Sequence, residues 1–346
     1  MLRRLSSPVV LLLACAFPSA AESQKPVRLR GEVLDATTGK PLPARVYVQG
    51  AAGSWYFARS EAKDGSAVEY RKQRGPKSVE MHTTLSAHPF LLDLPPGKYT
   101  VTVERGKEYL AESRTVTVGA APVKETFRLK RWADLAGHGW YCGDTHVHRS
   151  LEELPNVMLA EDLSVAFPLL YWVTEAFAPP RTGGRSTARE VEARPIAVDP
   201  THVLYPLNTE YEIFTVGKKP HPLGAVFVLN HKSVLEEGVP PVGPVARRAK
   251  REGALLELDK HNWPWSMMLV PVMGVDLYEL ANNHVWRTEF GLPAFGEPAA
   301  DWMRVERGPQ GFTEAGWIEY GLRNYYTLLD CGFRLRPAFS PFTQAS

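Results

Sequence analysis

Polar and apolar residues alternate with a period of two through the first third of the chain. Val27, Leu29, Gly31 and Val33 are interleaved with charged residues, the pattern of a strand that buries one face. Thr38-Gly39-Lys40-Pro41 supplies a turn before the next alternating run at residues 45–48. Pro95-Pro96-Gly97 turns the chain again, after which Tyr99, Val101 and Val103 face one way and Thr100, Thr102 and Glu104 the other. Helical periodicity does not persist over eleven residues anywhere in this region. Residues 26–131 are therefore predicted to form an all-β sandwich of about 100 residues, with His82 and His88 in its loops.

Past residue 131 the pattern changes. Residues 132–139 read as a linker, and strand-like runs follow at 140–148, 163–174, 202–214, 224–230, 254–261 and 275–281. Two helical stretches accompany them: "VGPVARRAKREG", closed by Gly253, and "EAGWIEYGLRNYYTLLDCG", closed by Gly332. Strands interleaved with helices predict an α/β domain over residues 140–346, built on a largely parallel sheet or barrel. Residues 179–195, rich in proline, glycine and arginine, read as a loop at its rim.

The first twenty-one residues have the grammar of a signal peptide. Arg3 and Arg4 precede an apolar stretch at 9–17, and Ser19-Ala20-Ala21 offers a cleavage site. A secreted or periplasmic protein is the expectation, with an outer-surface lipoprotein acylated at Cys15 as the alternative. No later run reaches the roughly 20 apolar residues of a membrane span. Basic and acidic residues number 40 and 38, a net charge of +2, which gives no field to attract nucleic acid. The basic run "ARRAKRE" is predicted to be the wet face of a helix. Cys142 and Cys331 are expected as two buried thiols rather than a disulfide.

Chemistry concentrates in "GWYCGDTHVHRS". On a strand, Asp144, His146 and His148 share a face, so two imidazoles can bind a metal while the aspartate ligates or orients a ring. In "GALLELDKHNWPWS", Glu257, Asp259 and His261 share a face, and in "LNTEYEIF" so do Glu210 and Glu212. Nitrogen and carboxylate ligands of this kind suit zinc, manganese or iron, which turn water into a nucleophile near neutral pH. Trp263 and Trp265 are predicted to wall the substrate pocket; Asn283, in "YELANNHVW" with Glu279, Asn282 and His284, is predicted to contact or support substrate, with capping of the strand end as the alternative. His221 and His231 read as loop or supporting residues, His138 and His202 as structural ones. A phosphate loop, a serine nucleophile elbow and a Cys-His nucleophile pair are absent.

"GWYCGDTHVHRS" resembles the first motif of the PHP (polymerase and histidinol phosphatase) superfamily, in its carbaryl-hydrolase-like CehA/McbA branch. "GALLELDKHNWPWS" and "VDLYELANNHVW" extend the resemblance to about residues 140–332. "GEVLDATTGKPLPARVYV" and "LDLPPGKYTVTVERG" resemble carboxypeptidase-regulatory-like sandwich modules, which commonly precede this catalytic domain. The resemblance implies a distorted (β/α)7 barrel with up to three metal ions at the strand ends. By position, His146 and His148 would be first-motif ligands, Glu210 a bridging carboxylate and His261 a later ligand. The chain departs from the family at Thr174-Glu175-Ala176, where Asp-His is usual and Glu175 is the available substitute. It departs again after "LLDCGFRLRP", where a last aspartate-histidine motif is missing, so the barrel is expected to be incomplete.

The expected function is an exported metal-dependent hydrolase that cleaves an ester, carbamate or phosphoester bond in a small-molecule or oligomeric substrate. His146, His148, Glu210 and His261 would hold metal, and Asp144 and Glu210 would serve the chemistry. The alternative is a degenerate, non-catalytic envelope protein that binds glycan or protein.

Overall fold

The alternating strands of the first third close into two packed sheets. The computed structural model describes residues 25–73, 79–182, 191–263, 265–281, 300 and 302–339. The segment predicted to be a signal peptide, with Cys15, and Asn282, Asn283 and His284 lie outside these residues. Eight strands build the sandwich: β1 (Val27–Asp35), β2 (Ala44–Gly50), β3 (Ala67–Gln73), β4 (Val79–Leu85), β5 (Phe90–Leu94), β6 (Gly97–Glu104), β7 (Glu112–Val118) and β8 (Val123–Arg131). One sheet runs β5-β1-β8, extended by the short pieces Arg59–Ser60 and Tyr109–Leu110, and the other runs β7-β6-β2-β4-β3. Leu29, Val33, Val101, Val103, Phe127 and Leu129, the inward members of the alternation, are buried between them.

Gly31 breaks the inward row for a steric reason. It pairs with Phe90 across β1 and β5, and a Cβ at Gly31 would lie 2.1 Å from Phe90 Cζ. Phe90 is fully buried, so its ring cannot swing away without opening the core. Gly31→Ala is expected to destabilise the fold by about 1–3 kcal/mol. Urea unfolding of the variant checks this, and an unchanged midpoint would mean that the ring has room to move.

β4 does not alternate: His82, Thr83, Thr84 and Leu85 are consecutively buried. Its outer face is covered by α1 (Leu154–Glu161). His82 is thus a strand residue and not a loop histidine, with Nδ1 2.8 Å from Glu80 Oε1 and its ring between Tyr47 and Tyr70. His88 does lie in a loop, bonded to Ser86 Oγ.

The C-terminal end of α1 is fastened to the sandwich by arginines. Arg45 reaches Glu161 at 3.2 Å and Glu104 at 3.1 Å; Arg105 reaches Asp162 at 2.6 Å and also bonds the Leu159 carbonyl. Arg131 reaches Asp162 at 2.9 Å. Cations are favourable at a helix C-terminus, where carbonyls lack partners. The segment 132–139 contains a 3-10 turn, Ala136–His138, and Trp132 Nε1 donates to the Lys107 carbonyl, so this connection is tied to the sandwich.

Among the described residues two larger sheets follow, besides a two-stranded ribbon of Arg307–Gly308 and Gly311–Phe312. The first, in the order β9-β10-β13-β12, contains β9 (Gly143–Val147), β10 (Val165–Pro168), β12 (Ile196–Asp199) and β13 (His202–Leu204). The second starts at Arg181–Thr182 and continues through β11 (Tyr171–Glu175), β14 (Thr209–Val216), β15 (Lys219–Leu229), β16 (Leu255–Asp259), β17 (Leu277–Ala281) and β18 (Arg336–Phe339). This sheet is mixed where a largely parallel one was expected. β15 is antiparallel to both neighbours because Gly217 and Lys218, at φ 58° and 62°, form a two-residue hairpin between β14 and β15. The run at 163–174 also divides, contributing β10 to one sheet and β11 to the other.

Helices α2 (Gly243–Glu252) and α4 (Glu314–Asp330) form where the caps predict them, with the single turn α3 (Ser266–Leu269) between them. Arg247, Lys250 and Arg251 of α2 are exposed, and Thr313 Oγ1 caps α4 by accepting from Gly316 N. Cys142 and Cys331 are free and exposed, not buried, since each sits just outside a regular element. Among the described residues no helix is long and apolar enough to cross a membrane.

Candidate metal centre

Register in the seven-stranded sheet decides which side chains meet. Glu210 stands opposite Phe227, which stands opposite Glu257; one row on, Glu212 faces Ala225 and Ala225 faces Asp259. Leu258 pairs with Tyr278, which places Glu279 in the row of Asp259. One face therefore carries Glu210, Glu212, Phe227, Glu257, Asp259 and Glu279. The other face carries Tyr211, Ile213, Val226, Val228, Leu256, Leu258 and Tyr278, which form the largest apolar core.

The acidic face is buried too. Glu257, Asp259 and Glu279 are completely inaccessible and Glu210 nearly so. β9 supplies the histidines that cover it: the His146 ring packs edge-on against Phe227 at 4.6 Å and lies 5.1 Å from the His148 ring. His146 Nδ1 is 2.8 Å from Glu279 Oε1, and His148 Nε2 is 3.2 Å from Glu210 Oε2. Thr145 Oγ1 donates to Glu257 Oε1 at 2.9 Å, a further tie between β9 and β16.

Among the described residues, three groups each bring their ligand atoms within 4.8 Å of one another: His146, His148 and Glu210; His146, Asp259 and Glu279; and Glu210, Glu212 and Asp259. The side chains around them thus include groups positioned to hold a metal ion. Glu279 Oε2 and Glu210 Oε2 are buried without a well-formed hydrogen bond, as expected of carboxylates whose partner is a cation. Burial pushes His146 down to about 3, so its ring is neutral and can ligate. Burial likewise pushes the Glu257 carboxyl up to about 8, and the Glu212 carboxyl up to about 7 against the attraction of Lys260. Burial works against ionisation of Glu210, yet His148 and Lys260 hold its carboxyl below the ordinary range.

Among the residues singled out from sequence, the structure brings together His146, His148 and Glu210. His261 joins none of the three sets. It is buried between Tyr278, Trp317 and Tyr320, with ring centroids 5.2–5.8 Å away. The cause is local: Lys260 has φ 50°, so strand alternation stops at Asp259 and the next two side chains change direction. Asp144 is also absent from the ligand sets; its Oδ1 accepts the His146 backbone N–H at 2.9 Å. The β9–β10 register shifts between Asp144 and Val147, which breaks the shared face.

Glu175 joins none of the ligand sets, and its carboxylate accepts from Thr215 Oγ1 and Lys218 N. His231 is buried and fully used, with Nε2 accepting from Thr209 Oγ1 and Nδ1 donating to the Ser233 carbonyl. Trp263 stacks edge-on against Phe214. Trp265 lies across the sheet from the acidic face, lining an apolar cavity of about 270 Å³ with Tyr211, Leu223, Val245 and Met273. Asn283 lies outside the described residues. Asp259, Glu212 and Glu279 were not assigned as ligands from sequence, although the repeated two-residue spacing of Glu210 with Glu212 and Glu257 with Asp259 carried the signal for the first two.

Comparison with protein-family models gives no match, and comparison with curated proteins gives none. Among solved structures, a group B streptococcus pilus 2b backbone protein aligns at 16% identity with a TM-score of 0.23, over 32% of this chain and 43% of that one. What the geometry itself establishes is a strand-rich chain, with a sandwich in its first part, that carries buried histidine and carboxylate groups spaced to hold metal.

Proposed function

We propose that the chain is an exported metal-dependent hydrolase of the PHP type, acting on an ester, carbamate or phosphoester bond. The observation that carries this reading is the convergence of His146, His148 and Glu210 from two separate sheets, with Asp259 and Glu279 beside them. Unmatched buried carboxylates are costly, so this many of them on one face calls for cations. A divalent ion held there would supply Lewis acidity toward water and toward the scissile group.

The chain's own residues have separable parts. Glu279 Oε1 accepts from His146 Nδ1, which fixes the tautomer and leaves Nε2 as the ligating atom. Asp144 is a positioning residue: it holds the His146 amide and with it the bend in β9. Glu210 lies against His148 and, like Asp259, belongs to two of the three ligand sets.

The test begins with metal content. Purified protein is expected to retain at least one divalent ion, and His146→Ala/His148→Ala to weaken metal binding at least about 100-fold. Hydrolysis of a panel of aryl esters, carbamates and phosphoesters should vanish on chelation and return with zinc or manganese. Equal metal in wild type and double variant would sink the site. Metal that is bound without hydrolysis of any of the three classes would favour the non-catalytic binding protein.

A further inference from the structure

One corner of the cluster already contains a cation. Lys260 is buried, with 4% of its surface exposed. Its Nζ bonds Asp259 Oδ2 and lies 3.3 Å from Glu212 Oε1 and 3.9 Å from Glu210 Oε1. These three residues are one of the three sets whose oxygens converge within 4.8 Å. An ammonium is a compact charge with three donors, and here it meets three carboxylates.

Reaching that position requires an unusual backbone. Lys260 is a non-glycine residue at φ 50°, a conformation that costs on the order of 1–2 kcal/mol. Ordinary strand continuation would send the side chain to the apolar face beside Leu258 and Tyr278. The left-handed turn instead keeps it on the face of Asp259. A second tie holds the turn, since Lys260 N donates to Asp259 Oδ1 at 2.6 Å.

We propose that the Lys260 ammonium is a built-in cation that fills the Glu210–Glu212–Asp259 corner and confines divalent metal to the sets built on His146. This rests on the metal-centre reading above. At the Glu210–Glu212–Asp259 corner an ammonium and a metal ion require the same oxygens, so they exclude each other there. The lysine thereby lowers the number of metal ions below what the ligands could hold. Glu212 follows as a lysine partner and not a metal ligand; its other oxygen accepts from Trp172 Nε1 at 3.2 Å.

Two substitutions test this by metal count, measured by equilibrium dialysis against Mn²⁺ or Zn²⁺ followed by elemental analysis. Lys260→Met keeps the length of the side chain and removes its charge. It should bind one more ion per chain than wild type, and its thermal stability should depend on metal more steeply. Glu212→Gln is the milder variant, and it should leave the wild-type count unchanged and affinity within about 3-fold, a difference under 1 kcal/mol. A folded Lys260→Met with the wild-type count would overturn the proposal. So would loss of an ion, or a tenfold loss of affinity, in Glu212→Gln, and this arm decides the matter if Lys260→Met does not fold. Should wild type bind no ion while Lys260→Met binds one, the built-in cation stands and the histidine centre falls. Absence of metal from both folded proteins overturns both.

Discussion

Arg45→Met is expected to destabilise the folded chain by about 3–5 kcal/mol, the cost of stranding buried carboxylates. The Arg45 side chain is 8% exposed and lies between Glu104 of β6 and Glu161 at the end of α1, which is equally buried. Burial raises the Glu161 carboxyl and Arg45 opposes it; without the guanidinium only the burial remains. Glu161 would then take up a proton on folding, so the loss should be smaller near pH 5 than at pH 8. Glu161→Gln in the same chain should recover part of the stability, which a double-mutant cycle in urea would resolve. A loss below about 1 kcal/mol would show that α1 does not depend on this bridge, and that Arg105 and Arg131 at Asp162 suffice.

The same bridge gives the sandwich a role beyond its own packing. α1 begins soon after His148 and ends at the residues gripped by Arg45 and Arg105. Arg149, next to His148, lies 5.0 Å over the Tyr70 ring of β3. The His148-bearing turn after β9 is therefore braced by the sandwich, and weakening that contact should loosen the site as well as the fold.

Period-two alternation was enough to predict the sandwich, because most of its strands have one covered face. It failed for β4, whose second face is covered by α1, so that His82 looked like a loop residue. In the second part, the spacing in Asp144-Thr145-His146-Val147-His148 and in Glu210-Tyr211-Glu212 located the histidine and carboxylate groups. Contact between these strands depends on sheet order, which spacing does not encode. His261 illustrates the limit. Read as a continuing strand, "ELDKH" puts His261 beside Asp259, yet one left-handed residue at Lys260 moves the lysine in and turns the histidine toward Trp317. A positive φ at a lysine has no compositional signal, unlike one at glycine. The hairpin at Gly217-Lys218 was missed for the same reason, since only one of its two positive-φ residues is a glycine.

Added Mn²⁺ is expected to raise the melting temperature of wild-type protein more at pH 8 than at pH 6. In the metal-free chain, burial pushes Glu212 to about 7, Glu257 to about 8 and Glu279 well above the ordinary value of 4.5. A carboxyl raised on folding binds its proton more tightly in the native state, so each such group removes stability as pH rises from 4.5 through its folded value. Burial lowers His146 to about 3, and His231 and His261 to about 4, from 6.5. These contribute stability that is present above 6.5 and lost as pH falls toward 4. The raised carboxyls and the lowered imidazoles make opposing contributions between 4.5 and 6.5, so the metal-free protein should be most stable there and weaken on both sides. Metal takes the place of protons on the carboxyls it meets. If the proton that leaves on binding is that of Glu279, the raised carboxyl within a His146 ligand set, affinity rises by up to about 100-fold from pH 6 to pH 8, adding up to about 2.7 kcal/mol of stabilisation. That corresponds to several degrees for a chain of this size. Differential scanning fluorimetry at both pH values, with and without Mn²⁺, measures the difference. A shift of equal size at the two would mean that metal displaces no proton from the buried cluster.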